Sequence, residues 1–396
     1  MNLEAIQNEL QKANIDGWLF YDFRGRDTIA TRILGIDPNH FSTRRWFYYI
    51  PAKGEPRKLA NAIEPAYLDF LPGSKEIYMP WKELPGKLSQ LLEGAKTVAM
   101  QWSPNCSIPY ISVVDGGMVD LIRSIGVEVV SSGNLVSIFE AHLDEAGWQS
   151  HYDAGQLMMK IKDMAFAEIG NRIKAGNPPT EYEIHMFMRD LYEQNGLEAD
   201  HGPIVGVNEH AADPHFDNAP DNSFTMKEGD LVLIDLFAKE KKDPNSVWYD
   251  ITWMGFIGDT IPARIQEVWE IAKNARNSAL KLVQERFASN TPLQGGEVDD
   301  AARNVINSAG LGKYFIHRTG HNISATLHGN GAHCDNFETN DTRLIIKGSC
   351  FSIEPGIYIA EEKIGFRTEI DVFIKEDGEV VVVGEIQDEI IKIQYK

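Results

Sequence analysis

The chain has 396 residues, 43% of them hydrophobic and 24% charged, enough for two domains that each bury a core. Its formal net charge of −20 excludes the basic footprint of a nucleic-acid binder and argues against adhesion to anionic lipid. Three scattered cysteines, Cys106, Cys334 and Cys350, form no CxxC pair, and neither a signal peptide nor an apolar run of about 20 residues is present, so a cytoplasmic protein without a membrane partner is expected.

The first segment reads as a short amphipathic helix running into a strand. Further strands are expected at 17–21 (GWLFY), 46–50 (WFYYI), 97–100 (TVAM) and 127–130 (VEVV), with helices around 64–71 and 85–92. These elements describe an α/β domain without a phosphate-cradling glycine loop. Residues 150–195 then turn helical, broken at 176–179 (GNPP). Thr180 followed by Glu183 has the spacing of a capping box and starts a new helix. A boundary near 145–155 gives two domains, 1–150 and 151–396.

The second domain carries an internal repeat. Residues 157–197 and 266–311 each read helix, break, helix, ending in EQNGL and NSAGL. A strand ending in an acid follows each: Asp235 and Glu354, both six positions after a glycine. A second acid follows each of these after fifteen residues, Asp250 and Glu369, at the start of strand-like runs. Two such α/β halves packed about a pseudo-twofold axis would bring all four carboxylates to one centre.

Four carboxylates in a half-buried site cannot all stay ionised unless they share protons or hold cations. His321 lies in a glycine-containing turn of the same half, with His317, His328 and His333 nearby. One imidazole with four carboxylates and no thiolate suits Mn²⁺, Co²⁺, Fe²⁺ or Zn²⁺ in a non-structural site. Two cations bridged by carboxylates about 3.5–4 Å apart would lower the pKa of water to about 7, which makes hydrolysis the natural chemistry.

The run Asp235…Asp250…His321…Glu354-Pro-Gly…Arg367-Thr-Glu369 resembles the metallopeptidases of pita-bread fold, which include aminopeptidase P, prolidase (Xaa-Pro dipeptidase) and methionine aminopeptidase. The resemblance extends over essentially the whole chain. It implies a creatinase-type N-terminal α/β domain and a pita-bread C-terminal domain, and it favours the proline-directed branch. Carried over by position, it implies Asp235 on one metal, His321 and Glu354 on the other, and Asp250 and Glu369 bridging. Glu354 would also shuttle the proton. His215 and His328 would contact substrate and stabilise the tetrahedral intermediate, and Arg367 would orient site carboxylates or bind substrate. Tyr358 falls at a frequent tyrosine position and can equally be read as packing. The implied enzyme holds two divalent ions, manganese foremost, acts on peptides with proline at the second position, and is a homodimer.

Four departures alter loops without removing a ligand: Phe237 in place of a small residue, an inserted turn at 241–245, Asn322 and Ser324 in the glycine-rich stretch after His321, and Gly329 where an acid is frequent. Phe216, Trp248 and Trp253 are candidates to line a proline pocket. Other readings on the same scaffold are a creatinase-like hydrolase, a metal-dependent lyase of sulfonium compounds, and a non-catalytic binding protein. The complete ligand set and the lack of basic segments weigh against the first and the last.

Overall fold

A computed structural model describes residues 1–395 of the chain, which divides into two compact units, Met1–Glu140 and Ala141–Lys396. In the first unit the order is α1 (Leu3–Lys12), β1 (Gly17–Asp22), α2 (Thr28–Leu34), β2 (Trp46–Pro51), β3 (Arg57–Asn61), β4 (Ser74–Tyr78), α3 (Leu84–Leu91), β5 (Thr97–Met100), α4 (Gly116–Ser124), β6 (Glu128–Ser131) and α5 (Gly133–Glu140). One sheet, β4-β3-β2-β1-β5-β6, organises it. The central strands β1 and β2 are buried along their whole length, which is why they read as continuous apolar runs. Helix α1 is capped by the Asn2 side chain and buries Ile6 and Leu10, four residues apart on one face.

The helix expected around 64–71 does not form; the segment is a series of turns. Local helix formation loses to tertiary bonds. The Glu64 carboxylate accepts hydrogen bonds from Ser42, Thr43 and Arg44, and Lys58 Nζ takes the Leu68 and Leu71 carbonyls, at 3.4 and 2.6 Å.

The second unit begins with α6 (Glu145–Lys174) and α7 (Glu181–Gln194). The Thr180–Glu183 capping box is formed in both directions. Then come β7 (Leu197–Glu198), β8 (Ile204–Val207), β9 (Leu231–Glu240), β10 (Tyr249–Ile257), α8 (Ala263–Ala288), α9 (Gly295–Ser308), β11 (Asn322–Ile323), β12 (Cys350–Ile353), β13 (Gly356–Ile359), β14 (Ile364–Arg367), β15 (Ile370–Ile374), β16 (Val380–Val383) and β17 (Ile391–Ile393). The two helix–helix–strand runs of the sequence repeat are thus present as elements.

Strands β17-β10-β9-β7 form one sheet, with β8 also on β9; β11-β12-β15-β16 form another, and β13-β14 is a separate hairpin. Alternation divides β9 and β10 between two cores. Val232, Ile234, Leu236, Ile251 and Trp253 pack with α6 and α7, whereas Leu231, Leu233, Met254 and Phe256 join α8, α9, β12 and β15. Asp235 and Asp250 stand on this second face. Two sequence readings change accordingly. Asp235 lies in mid-strand rather than at a strand end, because β9 continues to Glu240. Trp253 faces α6, with Lys162 Nζ 3.6 Å from its ring centroid, so it cannot line a pocket beside Asp250. Among the described residues no helix is long and apolar enough to cross a membrane.

Candidate metal centre

In the antiparallel β9–β10 ladder, Asp235 pairs with Thr252 and Phe237 with Asp250. The four side chains therefore share one face. Glu369 immediately precedes β15, and its backbone N–H donates to the Thr252 carbonyl at 3.3 Å. This bond stitches the two halves together at the point where their acids meet. Thr252 Oγ1 also donates to Glu369 Oε2 at 2.7 Å.

His321 precedes β11, in a turn pressed against β12. A Cβ on Gly320 would lie 2.0 Å from the Ser352 carbonyl oxygen, so only glycine permits this approach. Ser352 Oγ accepts the His321 N–H at 3.0 Å and donates to Glu354 Oε1 at 3.1 Å, setting both residues from one hydroxyl. The imidazole Nε2 stands 3.4 Å from Asp250 Oδ2 and 3.4 Å from Glu354 Oε1. Its Nδ1 faces the Asn322 carbonyl at 3.3 Å, the arrangement that places the proton on Nδ1 and leaves Nε2 a lone pair.

The structure thus gathers all five predicted ligands. Asp235, Asp250, His321 and Glu369 are buried and Glu354 is half-buried. Arg367 Nη2 donates to Asp235 Oδ2 at 2.5 Å, its Nε donates to Thr252 Oγ1 at 3.0 Å, and Glu354 Oε2 lies 3.9 Å from that nitrogen.

The donor set fits a cation. Asp235 Oδ1, Asp250 Oδ1 and Glu369 Oε1 are buried without a hydrogen-bond partner, a costly condition for carboxylate oxygens unless something positive faces them. One ligand atom from each of Asp250, His321 and Glu369 lies within 4.8 Å of the others. Burial, and then the negative charge of neighbouring acids, pushes the Asp250 and Glu369 carboxyls well above their ordinary range. A divalent ion would reverse that shift.

His328 is exposed, with its ring 4.3 Å from that of His321 in an edge-on arrangement. Desolvation of the ring, with the nearby His321 and Arg318, lowers its pKa. His215 is exposed on the loop between β8 and β9. Its backbone N–H is held by Asp213, and among the described residues its ring makes no hydrogen bond or ion pair. Phe216 is buried, and its ring stacks on His210 at 4.1 Å. Trp248 is likewise buried and donates its indole N–H to the Ala325 carbonyl.

The site has further participants, of which Thr252 and Asp371 escaped the sequence reading. His317 Nε2 lies 2.9 Å from Tyr358 Oη, which accepts from Arg367 Nη1 at 3.1 Å, so Tyr358 links a half-buried imidazole to the site arginine rather than merely packing. Thr252 bridges Arg367 and Glu369; its place two residues after Asp250 on the same strand face was a usable signal. Asp371 is fully buried and accepts the Asp250 N–H at 2.8 Å; it stands two residues after Glu369, as Thr252 stands after Asp250.

A duplicated α/β core with acids and one imidazole at its centre defines a metal-dependent enzyme scaffold. The chain belongs to metallopeptidase family M24, whose model matches residues 156–376, more than half of its length. It has the pita-bread fold of that family. Among curated relatives it is 31% identical over 179 residues to "Probable dipeptidase PepE" of Mycobacterium tuberculosis H37Rv, 45% of this chain and 43% of that one. It is 31% identical over 156 residues to an Xaa-Pro dipeptidase of Lactobacillus helveticus, 39% of this chain and 38% of that one. The chain spans less than half the length of these relatives. Solved structures with the same fold include dipeptidase PepE from Mycobacterium ulcerans (TM-score 0.67, 22% identity, 99% of this chain and 97% of that chain). Another is the prolidase from Pyrococcus horikoshii OT3 (TM-score 0.58, 21% identity, 98% and 99%).

Proposed function

We propose that this protein hydrolyses the peptide bond before proline, in dipeptides or at peptide N-termini, with two divalent ions held by Asp235, Asp250, His321, Glu354 and Glu369. The observation that carries the reading is the set of three buried carboxylate oxygens without partners, converging where the two halves meet. When bound, the ions supply a water of lowered pKa and polarise the scissile carbonyl.

The chain's own residues do the rest. Glu354, half-buried and held by Ser352 Oγ, is placed to take a proton at a carboxylate oxygen and pass it to the leaving nitrogen. That nitrogen is a tertiary amide before cleavage, so it depends on the delivered proton to leave as an amine. We assign His328, whose ring lies 4.3 Å from that of His321, to hydrogen-bonding the oxyanion, and His215 to contacting substrate from its loop. Arg367 donates to Asp235 Oδ2 and so orients that carboxylate. We assign the N-terminal unit to the creatinase type, manganese as the working metal, a homodimer as the assembly and the cytoplasm as its place of action.

The test is a peptide panel, Xaa-Pro against Xaa-Pro-Yaa, each with added Mn²⁺, Co²⁺ or Zn²⁺. Cleavage of dipeptides alone identifies a dipeptidase, and cleavage of the longer peptides an aminopeptidase. Absence of proline-dependent turnover with every metal refutes the proposal.

A further inference from the structure

Arg276 lies on the inner side of α8 and is fully buried. Among the described residues no carboxylate pairs with it. Its Nη1 donates to Thr368 Oγ1 at 2.7 Å and to the Gln387 carbonyl at 2.8 Å, while Nε and Nη2 both meet Asn277 Oδ1. Every hydrogen-bond acceptor is neutral, and burial, only partly offset by the Asp388 carboxylate, lowers the pKa of the guanidinium to about 10. Stability alone is a poor reason for such a residue. An apolar side chain of similar volume avoids the desolvation cost of a buried charge.

What Arg276 touches gives a better reason. Thr368, itself fully buried, is the residue between Arg367 and Glu369. The side chain of Gln387 clamps the backbone of Met254, accepting its N–H at 2.9 Å and donating to its carbonyl at 2.7 Å. Met254 lies two positions beyond Thr252 on β10, the strand that carries Asp250. One guanidinium therefore ties the Arg367–Glu369 segment, through Thr368, to a support that also grips β10.

We infer that Arg276 is a positioning residue of the metal centre, fixing Arg367 and Glu369 against Asp250 and Thr252 through the Thr368 hydroxyl. The inference rests on the metal-centre reading above. Rigidly held neighbours of ligating groups typically change metal affinity or activity by about 10- to 100-fold when removed.

The test compares metal-free wild type, Arg276→Met and Thr368→Val by calorimetric titration with Mn²⁺, with thermal melting of each metal-free protein as the control for folding. Both variants are expected to bind Mn²⁺ at least about tenfold more weakly than wild type. Both should also show lower kcat on Ala-Pro with KM little changed. Wild-type affinity and kcat in Arg276→Met overturn the inference. If that variant does not fold, Thr368→Val decides: weakened binding supports the role, and wild-type binding removes it. Wild type that takes up none of Mn²⁺, Co²⁺ or Zn²⁺ fails at the control step, and then the metal centre itself is refuted, and this inference with it.

Discussion

Phe237 stands directly across the β9–β10 ladder from Asp250, on the face that carries the candidate ligands. Its ring fills the space over Gly202, where a Cβ would come within 2.4 Å of it, and touches the exposed His201 edge-on at 5.1 Å between centroids. Phe237→Ala is expected to destabilise the protein by about 3–5 kcal/mol, the usual range for a buried phenylalanine. It should leave Mn²⁺ affinity within a few-fold and change the ranking of peptide substrates. Urea denaturation and the peptide panel check both; an unchanged ranking would show that the ring only packs.

Burial, and then the negative charge of Asp235 and Glu354, disfavour an ionised Asp250 when no cation is present. Asp250→Asn should therefore raise the melting temperature of the metal-free protein and abolish the further rise that Mn²⁺ gives wild type. Turnover should be lost. Melting curves with and without Mn²⁺ after chelation decide; a variant that melts lower than metal-free wild type contradicts the repulsion argument.

Glu354 accepts from Ser352 and faces His321, but contributes little buried apolar area. Glu354→Ala is expected to abolish turnover while circular dichroism and the metal-free melting temperature stay close to wild type. Normal kcat in this variant would refute its role as proton carrier.

In the N-terminal unit, Asp27 caps α2 through Oδ1, which accepts the Ala30 N–H at 2.8 Å, while its buried Oδ2 has no partner. Burial, with the nearby Asp22 and Glu140, pushes its carboxyl up to about 7. The folded pKa exceeds the unfolded one, so the stability linked to protonation is full below pH of about 4 and is lost as the pH rises through about 7. Asparagine keeps the capping oxygen and does not titrate. The stability of Asp27→Asn relative to wild type should thus improve by about 2–4 kcal/mol between pH 4 and pH 8 in urea melts. A pH-independent difference would mean that Asp27 is ionised throughout.

The candidate carboxylates were legible in the sequence because a duplicated half leaves a spacing that composition cannot hide. Asp235 and Asp250 repeat the interval of Glu354 and Glu369, and the Gly320-His321 turn signals close backbone approach. The frame behind the ligands was not legible. Ser352 and Arg276 reach the site through tertiary hydrogen bonds between residues 31 and 92 positions apart, the latter by way of a single neighbour, Thr368. No local pattern encodes such distances. In the segment 64–71, helical propensity was a true local signal, but Lys58 and the 42–44 loop claimed the polar groups a helix would have used.

The stitch between Glu369 N–H and the Thr252 carbonyl has a consequence for biosynthesis. Asp235 and Asp250 leave the ribosome more than a hundred residues before Glu369, so the early half emerges as an acidic surface with no mate. Cation capture must then be among the last acts of maturation, and a nascent chain halted before residue 369 should retain no tightly held ion. Mn²⁺ retention by released, C-terminally truncated chains of increasing length would reveal a threshold at that position.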